Sequence, residues 1–392
     1  MKKTALAIAL SAVAMNAAAD ASVEELIKRL DAQEKEIAEL KKAQAQTDQK
    51  VEATADALDS GDAGSSDKSL DWARKTKIGG YGEIHYNNFN GKDDQIDAHR
   101  FVLFVGHEFN EKVRFFSELE LEHGLSGDGK PGEVELEQAY IEWDYAEKHR
   151  LVAGQFLIPV GILNETHEPE TFYGTERNLV EKNIIPTTWW EAGAMLRGDI
   201  TAGLSYDVAF TSGLDSSDED GELGSIRSGR QKVAKANAND FAYTGRLKYT
   251  GVTGLELAAT AQYQENLTQG TISDASATLV EAHAIYNIAD FSIRALAAQW
   301  NIDGEQAKDQ GMDVQNGWYI EPSYKVTEQL GFFVRYNEWN NVAGFDQSDA
   351  EQVLDYGANY WLTPRVVFKA DWSDNQNADK GDSFNLGVGW SF

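Results

Sequence analysis

The sequence predicts an all-β transmembrane barrel of about sixteen antiparallel strands, preceded by a signal peptide and an α-helical coiled coil. From Lys77 onward, apolar and polar residues alternate with a period of two almost everywhere. The connections between the candidate strands alternate between very short turns and longer polar segments. Beyond the first twenty residues, no apolar run approaches the roughly 20 residues that a membrane helix requires, so strands must do the crossing.

Composition and charge narrow the class of protein further. The chain has 392 residues, of which 42% are hydrophobic and 11% aromatic, with 15 tyrosines and 10 tryptophans, which suits a strand-rich chain with aromatic belts. Its formal charge of -29 argues against nucleic acid as a partner. It contains no cysteine, which removes disulfide scaffolds and thiolate metal sites.

The first nineteen residues have the organisation of a secretory signal peptide. Lys2 and Lys3 precede the largely apolar run 5–13, and the triplet 17–19 supplies an A-x-A cleavage site before Asp20. An N-terminal membrane anchor is the alternative, although the apolar run is short for one. Cleavage after residue 19 would remove two lysines, change the formal charge from -29 to -31, and place the mature protein outside the cytoplasm.

Residues 20–58 carry a heptad pattern that predicts a coiled-coil helix. The seam positions are Val23, Leu30, Ile37, Gln44 and Val51 at one site, and Leu26, Gln33, Leu40, Thr47 and Thr54 at the other. A helix with so narrow an apolar stripe cannot bury it alone, so the expected partner is the same helix of another subunit. The alternative is a single helix that is frayed and solvated. Residues 59–76, rich in Gly, Ser and Asp, are interpreted as a flexible linker.

Residues 77–392 constitute the predicted barrel. Short turns such as 110–111 and 363–364 alternate with longer connections, as in an outer-membrane barrel with short periplasmic turns and longer outer loops. An even strand count puts both ends of the barrel on the side of the short turns, so the coiled coil is expected in the periplasm. The third longer connection, 159–188, mixes apolar and acidic residues, which predicts a loop folded inward as a constriction.

The strand Ser383–Phe392 predicts where the barrel closes. Its odd positions are small or polar and its even positions are large and apolar, ending on Phe392. A terminal strand with one face toward lipid and the other toward a water-filled lumen accounts for that alternation. The ending also resembles the C-terminal signature of bacterial outer-membrane barrels, an aromatic final residue preceded by alternating apolar positions.

Function is expected in the lumen, since the sequence shows no nucleophile motif, no metal-ligand spacing and no phosphate loop. We therefore expect no catalytic residue, no metal and no cofactor. Candidate residues of the constriction loop are Glu165, Glu168, Glu170, Glu176, Arg177 and Glu181. Candidate residues of the facing pore wall, assigned by strand parity, are Arg100, Arg114, Arg335, Arg365 and Lys369. Opposed charges across a narrow passage predict weak ion selectivity.

Two stretches carry a resemblance to a known family. The run 151–193, with L-V-A-G-Q-F-L-I-P-V-G, F-Y-G-T-E-R-N-L and P-T-T-W-W-E-A-G, resembles the phosphate-selective porin O/P family, as does G-Y-G-E-I-H-Y at 80–86. The resemblance implies a trimeric sixteen-stranded porin in the bacterial outer membrane, surrounded by its lipid. It also implies passage of small hydrophilic solutes or ions, among them phosphate or other anions. The strongly negative charge and the acidic third loop depart from the arginine- and lysine-lined pores of the anion-selective members.

Two hypotheses of different class remain. The first is a porin that forms a water-filled channel for passive diffusion of small solutes. The second is a structural or adhesive outer-membrane protein with a plugged barrel and a periplasmic coiled-coil anchor. Conductance of the purified protein in planar bilayers distinguishes the two.

The coiled coil generates a prediction of its own. Replacing Leu26, Leu30, Ile37 and Leu40 with polar residues should abolish association of the isolated segment 21–58, because these side chains form the seam. Analytical ultracentrifugation and circular dichroism of the unmodified segment should show a helical oligomer. A monomeric, unstructured segment at high concentration would contradict the coiled-coil interpretation.

Overall fold

The computed structural model describes residues 66–377 and 381–392 of the chain. Two compact units are separated between Lys75 and Thr76. The predicted signal peptide (1–19) and coiled coil (20–58) lie outside the described residues and stay predictions.

The first unit contributes one described helix, α1 (Ser66–Lys75). It lies within the stretch 59–76, which the composition predicts as a linker, and gives the second half of that stretch helical structure. Residues 66–75 contain neither glycine nor proline and are largely compatible with a helix. Lys75 pairs with Asp71 one turn earlier at 2.8 Å, and the two basic residues of the last turn, Arg74 and Lys75, complement the helix dipole.

The second unit is a closed antiparallel barrel of sixteen strands within the described residues, which confirms the predicted fold class. Each strand pairs with its neighbours in sequence, and β1 pairs with β16. The strands are β1 (Thr76–Phe89), β2 (Gln95–Glu108), β3 (Val113–Glu122), β4 (Val134–Ala146), β5 (His149–Leu157), β6 (Trp190–Thr201), β7 (Leu204–Thr211), β8 (Ala242–Val252), β9 (Leu255–Gln264), β10 (Ala277–Ile288), β11 (Phe291–Ile302), β12 (Val314–Lys325), β13 (Leu330–Asn340), β14 (Glu351–Thr363), β15 (Val366–Asn375) and β16 (Ser383–Ser391).

The terminal strand closes the sheet. Ile84 of β1 lies opposite Val388 of β16, and the pairing extends to the last residue. The Gly80 N–H donates to the Phe392 carbonyl at 3.1 Å, and the Phe392 N–H donates to the Gly80 carbonyl at 2.9 Å. Closure therefore satisfies the backbone of both edge strands, which an open edge in a bilayer would leave unpaired.

The connections alternate in length around the barrel. Turns of two to four residues, such as 147–148 and 253–254, join the strands at one end. The connections at the other end are longer, and the two longest are 158–189 and 212–241. The connection 158–189 contains a 3₁₀ turn (Pro169–Thr171) and the short helix α2 (Val180–Asn183). The connection between β11 and β12 contains α3 (Glu305–Asp309).

The outer face of the barrel is apolar and carries aromatic side chains toward the strand ends. Leu119, Leu196 and Val208 are exposed on it, as are Trp143 and Tyr324 near the short turns. Such a band is what lipid requires of a barrel surface. None of the helices among the described residues is long and apolar enough to cross a membrane.

The interior is divided into an apolar and a polar side. Large apolar residues of the 158–189 connection, including Ile184 and Trp189, pack against Leu279, Trp300 and Tyr319 on the inner faces of β10 to β12. Each fully buried side chain of this size contributes about 1.5–3 kcal/mol. The opposite inner wall, from β13 through β16 to β4, is polar and lines a cavity of about 860 Å³.

Closure at Phe392 is testable. Deleting Phe392 should reduce the yield of heat-modifiable, membrane-inserted barrel several-fold, because Gly80 loses both backbone partners. Phe392→Trp retains the backbone and an aromatic side chain and is the matched control. The measurement is the heat-modifiable fraction by electrophoresis of outer-membrane preparations. Equal fractions for the deletion and the control would contradict this role for closure.

Candidate functional site

The connection 158–189, called the inward loop below, is closed at its base by one side chain. Asn164 donates from Nδ2 to the carbonyls of Ile158 (2.8 Å) and Trp189 (2.9 Å). Its Oδ1 accepts the Trp189 N–H at 2.8 Å. Asn164 is fully buried, so these bonds are shielded from water and fix the two ends of the loop side by side.

The carboxylate of Glu181 organises the centre of the inward loop. Its Oε1 accepts the N–H groups of Ile162 and Leu163, both at 2.7 Å, and its Oε2 accepts from Asn178 (2.8 Å) and the Tyr319 hydroxyl (3.2 Å). Glu181 has 0% exposure. The prediction that it faces the solute path is therefore wrong, because the loop uses this carboxylate to satisfy its own backbone.

Glu165 fastens the inward loop to strands β6 and β8. Its Oε1 lies 3.0 Å from Arg197 Nη2, and its Oε2 pairs with Arg246. Both arginines also pair with Asp207, at 2.9 Å and 2.7 Å. Burial opposes ionisation, but Arg246 and Arg197 outweigh it and lower the pKa of Glu165 to about 2.

A second set of contacts fastens the inward loop to β13, β14 and β15. Arg335 donates to the carbonyls of Tyr173 and Glu176, and it pairs with Glu321 at 2.7 Å. Asn359 donates to the Phe172 carbonyl at 3.0 Å. These bonds hold the stretch 172–176 against the wall, so Arg335 anchors the loop as well as lining the cavity.

Two glycines of the terminal strand make room for the inward loop. A Cβ at Gly389 would lie 2.4 Å from Pro169 Cβ, and one at Gly387 would lie 3.2 Å from the Thr175 methyl group. The small residues on this face of β16 thus permit close approach of the loop.

The cavity beside this polar wall has a volume of about 860 Å³ and extends from the inward loop to the longer connections. Its lining holds eight Lys and Arg residues and seven Asp and Glu residues, so it lacks the strong negative charge of the whole chain. The cationic lining residues are Lys92, Arg100, Arg177, Lys182, Arg227, Arg230, Lys232 and Arg335, and the acidic ones are Glu83, Asp97, Glu122, Glu135, Glu176, Asp355 and Asp371.

Three of these cations, Arg177, Arg227 and Arg230, form what we call the arginine cluster. Within residues 66–377 and 381–392, none of them has a carboxylate oxygen at salt-bridge distance. Arg227 donates to the Thr187 carbonyl at 2.6 Å and Arg230 to the Thr188 carbonyl, so the 212–241 connection rests on the end of the inward loop. Burial, then repulsion from Arg230 and Arg177, lowers the pKa of Arg227 to about 9, which leaves it charged at neutral pH.

The predicted wall residues occupy different places. Arg100 lines the cavity and pairs with Glu83 at 2.8 Å. Lys369 is buried, with its Nζ 3.6 Å from the centre of the Phe172 ring. Arg114 lies at the short-turn end of β3, where it pairs with Asp144 at 2.7 Å.

Arg365 does not lie on the pore wall, where strand parity predicts it. It lies exposed in the turn between β14 and β15. Strand β15 begins at Val366, one residue later than the alternation pattern predicts, so Arg365 belongs to the turn with Pro364.

The remaining loop acids are also spread out. Glu176 lines the cavity, where its Oε1 lies 3.1 Å from His85 Nδ1 and accepts from Asn87. Burial raises the pKa of Glu176, but the hydrogen bond and charge of His85 outweigh burial and hold this pKa well below its usual value. Glu168 and Glu170 are half-buried. The acids of the inward loop therefore do not gather opposite a basic wall, because Glu165 and Glu176 bind separate parts of the barrel wall and Glu181 binds the loop itself.

Sequence reasoning missed Arg227 and Arg230, which lie on the 212–241 connection. That connection contains Leu214, Leu223 and Ile226, all buried in the apolar cluster. Apolar content is the pattern that predicts an inward position for 158–189. The apolar residues of 212–241 therefore also predict that this connection folds into the barrel.

Comparison with known proteins gives a family and a fold. A family model described as phosphate-selective porin O and P matches residues 79–390. An uncharacterized protein of Aquifex aeolicus (strain VF5) is 30% identical over 354 residues, which cover 80% of this chain and 79% of that protein.

Several solved structures share the fold at low sequence identity. Salmonella typhi OmpF in complex with daunomycin is 13% identical, with a TM-score of 0.56 over 81% of this chain and 97% of that chain. The anion-selective porin from Comamonas acidovorans is 12% identical, with a TM-score of 0.56 over 81% and 99%. The trimer form of Vibrio cholerae OmpT is 11% identical, with a TM-score of 0.53 over 81% and 99%.

The contact at Glu165 is testable by hydrogen exchange. Glu165→Gln should weaken local anchoring of the inward loop by about 1–3 kcal/mol, because charge-assisted bonds to Arg197 and Arg246 are lost. Amides near residue 165 should then exchange roughly 5- to 150-fold faster by mass spectrometry. Glu168→Gln is the matched control, since Glu168 forms no salt bridge among the described residues. Unchanged exchange in Glu165→Gln would contradict the anchoring role.

The lowered pKa of Glu165 also predicts a pH dependence. Its folded pKa of about 2 lies below the ordinary 4.5, so its contribution to stability is complete above about pH 4.5 and is lost as the pH falls toward 2. The difference in thermal unfolding temperature between the unmodified protein and Glu165→Gln should follow that course. A difference that is constant from pH 6 to about 2 would contradict the assignment.

Proposed function

Since the chain belongs to the phosphate-selective porin O and P family, we propose that it forms a water-filled outer-membrane channel for passive diffusion of small hydrophilic solutes, with a modest preference for anions. The family and the closed barrel indicate a channel rather than an enzyme, in the bacterial outer membrane. The observation that carries the anion preference is the arginine cluster, where three guanidinium groups line the cavity and none has a carboxylate at salt-bridge distance among residues 66–377 and 381–392.

The inward loop supplies the narrow section of the proposed channel. Its apolar residues fill the side of the lumen next to β10–β12, and solutes would pass along the polar side lined by Arg177 and Arg335. A path with charges of both signs holds water and small ions better than a packed core does. The role of the loop acids is then to hold the loop in place, as the contacts of Glu165 and Glu181 indicate.

Local charge should outweigh net charge for a permeating ion. The formal charge of -29 is a total over the whole chain, and charges more than roughly 8 Å from the path are screened at physiological ionic strength. Arg177, Arg227 and Arg230 lie on the cavity wall itself. They attract anions there, whereas the cavity acids Glu83 and Asp355 are paired with Arg100 and Arg335.

The preference is proposed to be weak. A tight phosphate site requires several donors that converge on one anion, and Arg227 and Arg230 already donate to backbone carbonyls at Thr187 and Thr188. Fewer donors remain free for a permeating ion. Micromolar phosphate is therefore not expected to block chloride current.

We further propose a homotrimer whose coiled coil, residues 20–58, lies in the periplasm. The heptad pattern supports association through the coiled coil. The trimer form of the OmpT structure, which shares this fold, supports a trimer of barrels. Lipid of the outer membrane is the proposed partner of the apolar outer face.

The plugged-barrel alternative is favoured by one observation, the extent of apolar packing between the inward loop and β10–β12. A barrel filled by its own loops could serve as an adhesive or structural protein. Stepwise conductance in planar bilayers separates the two, because a plugged barrel conducts no ions.

The arginine cluster gives the central prediction for selectivity. Replacing Arg177, Arg227 and Arg230 together with Gln should move the reversal potential in a salt gradient toward that of a cation-selective channel, since three positive charges leave the path. Arg365→Gln is the matched control, because Arg365 lies in an exposed turn away from the lumen. It should leave the reversal potential unchanged.

Two outcomes would contradict this account. Equal reversal potentials for the triple variant and the unmodified protein would remove the arginine cluster from the ion path. Saturable block of chloride current by micromolar phosphate would show that the channel has a tight anion site and not only a weak preference for anions.

A further inference from the structure

Three metal-ligating side chains meet where the inward loop lies against β3 and β4. Glu118 is on β3, Glu137 is on β4, and His167 is on the loop, with exposures of 1%, 0% and 3%. One ligand atom from each lies within 4.8 Å of the other two. This group is separate from the arginine cluster and from the Glu165 contact.

The distances within this group fit a shared ion better than hydrogen bonds. His167 Nε2 lies 3.6 Å from Glu118 Oε1 and 3.5 Å from Glu137 Oε2. An N–H···O bond is about 2.7–3.2 Å long, whereas two ligands 2.0–2.2 Å from a tetrahedral ion lie about 3.4 Å apart. These three atoms are buried and have no hydrogen-bond partner within residues 66–377 and 381–392.

The backbone of β4 departs from regular pairing at this point. Glu118 pairs with Gln138 and Leu119 pairs with Leu136, so Glu137 is the extra residue of a β-bulge. A bulge redirects side chains, and here Glu137 is completely buried toward the interior. Bulges occur preferentially next to functional sites.

Outer contacts orient two of the three side chains. His167 Nδ1 lies 3.2 Å from the Asn164 carbonyl, which can only accept, so Nδ1–H donates and Nε2 faces the carboxylates, where a neutral imidazole would offer its lone pair to an ion. Gln138 Nε2 donates to Glu118 Oε2 at 2.6 Å and leaves Oε1 for the site. In known metal sites, histidine and carboxylate ligands are oriented by outer hydrogen bonds of the same kind.

The two carboxylates of this group share one basic partner at ion-pair distance. Among the described residues, His167 is that partner for both Glu118 and Glu137, whereas the neighbouring Glu83 and Glu120 face Arg100 at 2.8 Å and 3.6 Å. A histidinium would neutralise one of the two carboxylates, and a divalent ion bound by neutral imidazole would neutralise both.

We propose that Glu118, Glu137 and His167 bind a divalent transition-metal ion of the zinc class, which fastens the inward loop to the barrel wall. An imidazole ligand favours zinc-class ions over calcium and magnesium, which prefer oxygen ligands. A second cavity, of about 380 Å³, is lined by both Glu118 and His167 and gives the ion a route of entry.

The chain offers an internal control in a second group, Asp97, His99 and His123, which lines the cavity of about 860 Å³. There His99 Nδ1 and His123 Nδ1 lie 3.2 Å and 2.8 Å from Asp97 Oδ2, which are hydrogen-bond distances, so this carboxylate is already satisfied without an ion. We expect zinc to prefer the buried group, and His123→Gln is the matched control for His167→Gln.

The experiment uses the full-length protein in detergent, stripped with a chelator and then dialysed against zinc. We expect one zinc ion per chain by mass spectrometry, a higher unfolding temperature with zinc than with magnesium, and visible absorption bands of a tetrahedral site when cobalt replaces zinc. His167→Gln and Glu137→Gln should lose the ion, and His123→Gln should retain it. Gln138→Leu should weaken zinc binding about 10- to 100-fold.

Three results would overturn the proposal. One is unmodified protein that binds no zinc after stripping and shows no cobalt bands, a measurement that does not depend on whether the variants fold. Another is a heat-modifiable His167→Gln barrel with unchanged zinc affinity. The third is loss of the ion in His123→Gln with retention in His167→Gln. Conductance is not part of these criteria, so the site can fail while the channel function stands.

Discussion

The structure depends on closure of the backbone hydrogen-bond ladder between β1 and β16. In hydrocarbon an unpaired N–H or C=O has no water to bind, so a sheet that crosses the membrane must have no open edge. The bonds between Gly80 and Phe392 complete that ladder at the last residue of the chain. Closure also gives the sheet an inner and an outer face. Because side chains alternate along every strand, one set then points to the lumen and the other set points to lipid.

The inward loop satisfies the same requirement by different means. Its 32 residues (158–189) lie among buried side chains, and its backbone groups bind Asn164, Glu181, Arg335 and Asn359 instead of neighbouring strands. Removing one of these partners would leave buried groups unpaired at about 1–3 kcal/mol each. The acids and amides that the sequence places on this loop therefore serve its own structure first, and the cations of the two longest connections are left to act on solutes.

Much of the fold could be predicted from the sequence, since strand alternation and loop length are local patterns. The contacts inside the barrel could not be predicted in the same way. In β11 the face that carries Trp300 and Leu296 points inward against the loop, and alternation alone assigns such a face to lipid. Arg227 and Arg230 reach the lumen only because the 212–241 connection folds over the inward loop. The carboxylate of Glu181 looked available for solutes, and its four partners exist only once the loop has folded.

Single-channel recording of the unmodified protein in a planar bilayer with a potassium chloride gradient tests the account most directly. We expect stepwise conductance increments on insertion and a reversal potential whose sign reports modest chloride preference, because Arg177, Arg227 and Arg230 line the cavity and have no salt-bridged acid in the part of the chain that the structure describes. Heat-modifiable, correctly folded protein that produces no conductance steps, or steps with clear cation selectivity, would contradict it.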